Sequence, residues 1–94
     1  MYTVYVVPAA RKSARKLPIE VQTAAREAFQ TLAADPLTGE KLSGSLQFLR
    51  SYHFKVTGTE YRIAYHVQTE RSRIIVHLIH SRENFYEKLK RIFH

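Results

Sequence analysis

Tyr2-Thr3-Val4-Tyr5-Val6-Val7 opens the chain with β-branched and aromatic residues and predicts a strand. Pro8 presets the backbone for the first turn of a helix. Ala10, Ala14 and Leu17 then recur at helical spacing, with Arg11, Lys12, Arg15 and Lys16 on the other side. Pro18 interrupts this short helix and starts the next. From Ile19 to Ala34 an apolar stripe of Val21, Ala25, Ala28 and Leu32, flanked by Phe29, predicts a second helix that ends at Asp35-Pro36. Two antiparallel helices joined at a proline make a hairpin able to cover one face of a sheet.

Pro36, Gly39 and Gly44 mark residues 35–46 as a loop. Three strands follow, over about 47–56, 61–68 and 73–81. Their connections at 57–59 and 69–72 are short enough for hairpins. A last helix is expected from about Arg82, with Ser81 as its N-cap and Phe85, Leu89 and Ile92 on its apolar side. The order is therefore β-α-α-β-β-β-α in a single α+β domain, residues 1–94. We expect an antiparallel four-stranded sheet with the helical hairpin on one face and a C-terminal helix. The other face is left partly open, and a ligand is expected there.

Composition sharpens this picture in three ways. Hydrophobic residues at 45% are enough for a folded core, and 94 residues leave room for one. The absence of cysteine excludes disulfides and thiolate metal sites. No apolar run approaches the roughly 18 residues of a membrane span and no signal segment opens the chain, so a soluble, cytoplasmic protein is expected. The formal charge is +7, which favours an anionic partner. It is unevenly placed: residues 48–94 hold nine Lys/Arg against four Asp/Glu, and all five histidines. Any chemistry is expected in that half.

Side chains alternate along a strand, which puts His53 and Lys55 on one face and Tyr52, Phe54 and Val56 on the other. In the next strand Arg62, Ala64 and His66 alternate with Tyr61, Ile63 and Tyr65. The polar sets can converge on the open face, with Arg82 at the end of the third strand and Tyr86 one helical turn beyond it. Such a cluster suits a phosphodiester. RNA is cleaved by its own 2′-hydroxyl given a base, positive charge for the phosphorane oxygens and an acid for the leaving 5′-oxygen. Arg62 and Arg82 suit bidentate phosphate contacts. Lys55, among other cations, can serve as base or electrostatic stabiliser. Tyr86 can stack on a base or help with proton transfer, and His53 or His80 can supply an acid; Arg50 joins His53 and His80 as a substrate-binding candidate.

Each residue has a plainer reading. A strand arginine is commonly a solvated face, Tyr86 lies at packing distance from Leu89, and His77 among Ile75 and Ile79 suits a sheet face. The histidines show no i,i+4 ligand pair with an acidic partner, so no metal site and no cofactor is expected. His94 is expected at a disordered terminus. Glycine-rich phosphate loops and serine nucleophile elbows are absent.

Taken together, Pro8-Ala9-Ala10-Arg11-Lys12, Asp35-Pro36 leading to Leu42-Ser43-Gly44, Tyr52-His53-Phe54-Lys55-Val56, Tyr61-Arg62-Ile63-Ala64-Tyr65 and His80-Ser81-Arg82-Glu83-Asn84-Phe85-Tyr86 resemble the RelE/ParE superfamily of toxins from toxin–antitoxin pairs. The resemblance implies a RelE-like mRNA interferase that enters the ribosomal A site and cuts the codon there without a metal. Lys55 would match its catalytic lysine, Arg62 its strand arginine, Arg82 the arginine ending the last strand and Tyr86 the helix tyrosine. A second basic residue of the lysine's strand would fall on His53, a departure from the usual lysine or arginine. The implied partners are a cognate antitoxin, the ribosome with its mRNA, and operator DNA only through the toxin–antitoxin complex. The same fold includes ParE-like toxins that poison DNA gyrase. A degenerate member that binds only antitoxin and DNA would carry the same basic surface.

Overall fold

A computed structural model describes residues 1–93; His94 and the expectation attached to it lie outside the described residues. Strand β1 (Thr3–Val6) leads into α1 (Pro8–Ala14), which has Pro8 in its first turn. That helix stops three residues before Leu17. The amides of Lys16 and Leu17 donate to the carbonyls of Ser13 and Ala14 at 3.1 and 3.0 Å, and the Gln22 side-chain amide caps the Leu17 carbonyl at 2.8 Å. Helix α2 (Ile19–Ala34) has the expected bounds and buries the expected stripe of Val21, Ala25, Ala28 and Leu32. Asp35 ends it because a residue before proline is disfavoured in helical backbone.

The sheet has five strands in the order β1-β5-β4-β3-β2, adding β2 (Glu40–Lys41), β3 (Arg50–Val56), β4 (Thr59–Gln68) and β5 (Arg73–Ser81). Two features correct the expected antiparallel four-stranded sheet. Glu40–Lys41, expected in a loop, pairs with Ser51 and Arg50, because the chain doubles back through a single helical turn at Gly44–Leu46. Strand β1 pairs parallel to β5, with Thr3 opposite Arg73 and Val6 opposite Val76. The meander of β3, β4 and β5 leaves only two free edges; β2 covers one and β1 the other. The β3–β4 hairpin turns on Thr57 and Gly58, both at positive φ (50° and 80°), as a type I′ turn requires.

Strand β5 carries a bulge. Ala64 faces Leu78 and the next residue, Tyr65, faces Val76, so His77 has no partner. Side-chain alternation changes phase there. Ile74 and Val76 before the bulge, and Ile79 after it, all pack with Ala25, Ala28, Leu32, Ile63 and Tyr65 under α2. Leu78 faces the other way, into a second cluster with Leu46, Leu49, Ala64, Phe85 and Leu89.

That second core seats α3 (Phe85–Ile92), so the face opposite the helical hairpin is open only in part. The helix begins later than Arg82. Ser81 is still held in the sheet opposite Tyr61, and the chain turns through Arg82–Asn84 with Asn84 left-handed at φ 60° before Phe85. The far end of α3 is fixed by rings: Phe93 meets His77 edge-on at 4.9 Å and Phe48 at 5.1 Å, and Phe48 meets His66 at 5.8 Å. Burial, then neighbouring His66, hold the His77 imidazole below the usual histidine range. No helix among the described residues is long and apolar enough to cross a membrane.

Tyr65 ties the loop after α2 to the sheet. Fully buried, it donates its hydroxyl to the Pro36 carbonyl at 2.7 Å and accepts from the Gly39 amide at 3.0 Å. A Cβ on Gly39 would lie 2.6 Å from that hydroxyl and 2.9 Å from the Ser51 carbonyl oxygen. Removing the hydroxyl by Tyr65→Phe leaves both loop groups without their partner. It is expected to cost about 1–3 kcal/mol in urea unfolding, and a loss below about 0.5 kcal/mol would show the loop to be held otherwise.

Candidate active site

The site is built on pairing register. His53 of β3 faces Arg62 of β4, which faces His80 of β5. Two residues along, Lys55 faces Glu60, and the Arg82 amide continues the row by donating to the Glu60 carbonyl at 2.9 Å. These two rows of three lie on the face opposite the helical hairpin, beside α3. Lys55 and Arg82 line an open groove of about 560 Å³ together with Thr59, Glu60, Ser81 and Glu83.

Arg62 is the centre. Its side chain is only 14% exposed. Its Nε donates to Glu60 Oε2 at 3.0 Å and its Nη1 to the Tyr86 hydroxyl at 2.9 Å. The guanidinium carbon also lies 5.3 Å from the centre of the Tyr86 ring and 6.0 Å from that of Phe85. Two edges of the planar cation are thereby fixed, which leaves donors for a ligand without loss of orientation. Tyr86 remains 42% exposed, so its ring is available for stacking. It reaches Arg62 from the first turn of α3, and not from one helical turn beyond Arg82 as the sequence suggested, since Arg82 precedes the helix.

His80 points to the same face. Its Nδ1 lies 3.0 Å from the Ser81 carbonyl and 3.4 Å from the Ser81 hydroxyl, and its Nε2 makes no hydrogen bond within the described residues. His53 Nδ1 stands 3.8 Å from Glu60 Oε2. This contact and the Arg62 ion pair both run to Glu60. Its carboxyl is held below the usual carboxylate range, chiefly by the hydrogen bond from Arg62, opposed in part by desolvation and aided by the charges of Arg62, His53 and Arg82.

The expected residues Lys55, Arg62, Arg82, Tyr86, His53 and His80 thus come together. Arg50 does not. It sits at an odd step from His53 and Lys55 and so faces the helical hairpin, where its Nη1 donates to the carbonyls of Gly39 at 2.8 Å and Leu37 at 3.3 Å. It braces the loop. Sequence reasoning missed Glu60, although the signal was available: it lies two residues before Arg62, which puts both on one strand face.

The α+β scaffold sets His53, Lys55, Arg62 and His80 on one sheet face, and comparison with known proteins supplies the family. Residues 4–90 match the family model described as the ParE-like toxin of type II bacterial toxin–antitoxin systems. The chain belongs to that family. A chain of the toxin–antitoxin complex RelBE2 from Mycobacterium tuberculosis is 31% identical, with 86% of this chain and 98% of that one covered and a TM-score of 0.73. The isolated E. coli RelE toxin is 25% identical over 98% and 99% of the two chains at a TM-score of 0.69. A mutant E. coli RelE in the free state, 20% identical over 97% of each chain, shares the fold at a TM-score of 0.76. Comparison with curated proteins gives no match.

The electrostatics of Glu60 give a pH dependence. A carboxyl whose folded pKa is depressed contributes stability that is present above its unfolded pKa and is lost as pH falls through the folded value. Carboxyl NMR titration of Glu60 is expected to show a midpoint below that of an ordinary glutamate, returning toward it in Arg62→Ala. An ordinary midpoint in the wild type would refute the pairing.

Proposed function

We propose that this toxin is a metal-independent endoribonuclease that cuts ribosome-bound mRNA in the A site and so stops translation in the cytoplasm. The observation that carries the reading is the convergence of Lys55, Arg62, Arg82, His80 and Tyr86 on one groove-lined face. In-line attack by the substrate's own 2′-hydroxyl needs no protein nucleophile. It needs charge where the phosphorane oxygens form, which Arg62 and Arg82 supply, with Lys55 across the groove. It also needs proton carriers, for which Lys55, His80 and the Tyr86 hydroxyl are the groups at hand. The exposed Tyr86 ring, with the Arg62 cation against it, suits stacking by an unpaired base. An open groove, lined by Lys55 and Arg82 on one side of the charge balance and Glu60 and Glu83 on the other, fits an enzyme that takes its substrate positioned by the ribosome.

The complexes of related toxins support a partner as well. The RelBE2 and RelBE structures are of toxin–antitoxin complexes, and a charge of +7 on this chain favours an acidic antitoxin segment. DNA would then be met only through that complex. One observation favours a second reading: the matching family model is described as ParE-like, and ParE-like toxins act on DNA gyrase by binding.

Brief expression followed by primer-extension mapping of mRNA ends separates the two. The nuclease gives new ends within ribosome-bound codons; DNA damage with intact mRNA would establish the gyrase reading instead. Arg62→Ala and Arg82→Ala are each expected to slow cleavage by about 10²–10³-fold. The double variant is expected to fold, to bind antitoxin and to leave growth unaffected. Full toxicity from that double variant would overturn the site.

A further inference from the structure

We propose that Glu60 is a built-in counter-anion of the active site, one that aims Arg62 for catalysis and competes with the RNA phosphate for it. The inference rests on the nuclease reading above and adds a positioning residue to it.

The fold does not call for a carboxylate here. Glu60 stands two steps from the β3–β4 turn, with a side chain 22% exposed that takes no part in either core. Yet its Oε2 sits 3.0 Å from Arg62 Nε and 3.8 Å from His53 Nδ1, with Lys55 directly opposite in register and Arg82 beside it. Glu83 is the other carboxylate on that groove, on the turn after β5. Three basic groups, Arg62, His53 and Arg82, therefore act on one anion at the place where a phosphate is to be gripped, and Lys55 lines the same groove. Without it, Arg62 would be held only through Nη1 and Tyr86.

Two consequences have opposite signs. Fixing Nε on one side and Nη1 on another sets the plane of the guanidinium, so its free donors meet the phosphate in one orientation; misplacing such a group slows reactions by up to about 10²-fold. A phosphate on Arg62, however, brings a second negative charge within a few ångströms of Glu60. Even in a largely aqueous setting that repulsion weakens binding by several-fold, and salt screens it. Glu60 therefore lowers ground-state affinity while it raises the rate. A residue that merely supported the fold would move both in the same direction.

The test uses the full-length toxin freed from its antitoxin and a fluorescein-labelled single-stranded RNA made uncleavable by 2′-deoxy substitution. Binding is read by anisotropy, and cleavage by single-turnover assay on ribosomes carrying mRNA. Glu60→Gln is expected to bind the RNA about three- to ten-fold more tightly at low salt, with the gain shrinking as salt rises. Its cleavage at saturation should be about ten- to 100-fold slower. Glu60→Asp keeps the charge but falls short of Arg62 Nε, so it should bind like the wild type and cleave slowly. Should Glu60→Gln fail to fold by thermal melting, the wild type alone decides: saturating it with the uncleavable RNA should raise the Glu60 carboxyl midpoint in NMR titration, and an unmoved midpoint overturns the proposal. Glu60→Gln that binds no more tightly than the wild type, or cleaves within two-fold of it, overturns the Glu60 role and leaves the nuclease reading standing. A wild type that neither binds the RNA nor cuts mRNA overturns both.

Discussion

One extra residue in β5 decides which side of the sheet can do chemistry. Strand alternation without a bulge would set Ile74, Val76, Leu78 and His80 on a single face, and that face is the core under α2. Because His77 is left unpaired between Val76 and Leu78, the phase slips. Ile79 returns to the core while Leu78, His80 and the Arg82 backbone step fall on the opposite side. Bulges twist and re-aim strands, at the cost of a locally broken ladder. Here the break is covered: His77 packs edge-on against Phe93, so the unpaired position lies beneath the end of α3.

The same slip couples the second core to the site. Leu78 and Ala64 give α3 an apolar seat for Phe85 and Leu89. Seating Phe85 fixes the next residue, Tyr86, with its hydroxyl on Arg62. Thus the helix that covers half of the face also supplies the aromatic wall of the exposed half. Anything that lifts α3 from the sheet would remove Tyr86 from Arg62 and leave Leu78 and Ala64 facing water. Stability and site geometry share these contacts.

Much of this was legible in the sequence, and what was not has physical reasons. Apolar spacing located α2 and β5 to the residue, because a 16-residue amphipathic stripe and a run of β-branched residues leave little ambiguity. Period-two alternation was enough to put His53, Lys55 and Arg62 on one face, since β3 and β4 pair without irregularity. The same alternation argues against Arg50 as a site residue: an odd step from His53 and Lys55 sends it to the hairpin side, where it holds the Leu37 and Gly39 carbonyls. The bulge carries no composition signal, as His77 is flanked by ordinary strand residues. Strand β2 is two residues long and exists only through pairing with β3, a non-local contact that local pattern cannot contain. The late start of α3 is also non-local: Ser81 has the chemistry of a cap, but sheet pairing to Tyr61 outcompetes it.

Glu60 was overlooked for a different reason. A search for groups that grip phosphate looks for positive charge, whereas a dense cationic cluster also has to be stable while empty. Cationic side chains gathered on one sheet face repel, and a guanidinium that is largely buried needs partners for its donors. In Arg62 those partners are a carboxylate and a phenol hydroxyl, one on the neighbouring position of its own strand face and one from α3. The arrangement fixes the arginine through Nε and Nη1 and leaves its other donors without a side-chain partner. A cluster that carries its positive charge in side chains requires an internal anion to hold them. That requirement, more than any single motif, explains why Glu60 and Arg62 occupy the same face two residues apart.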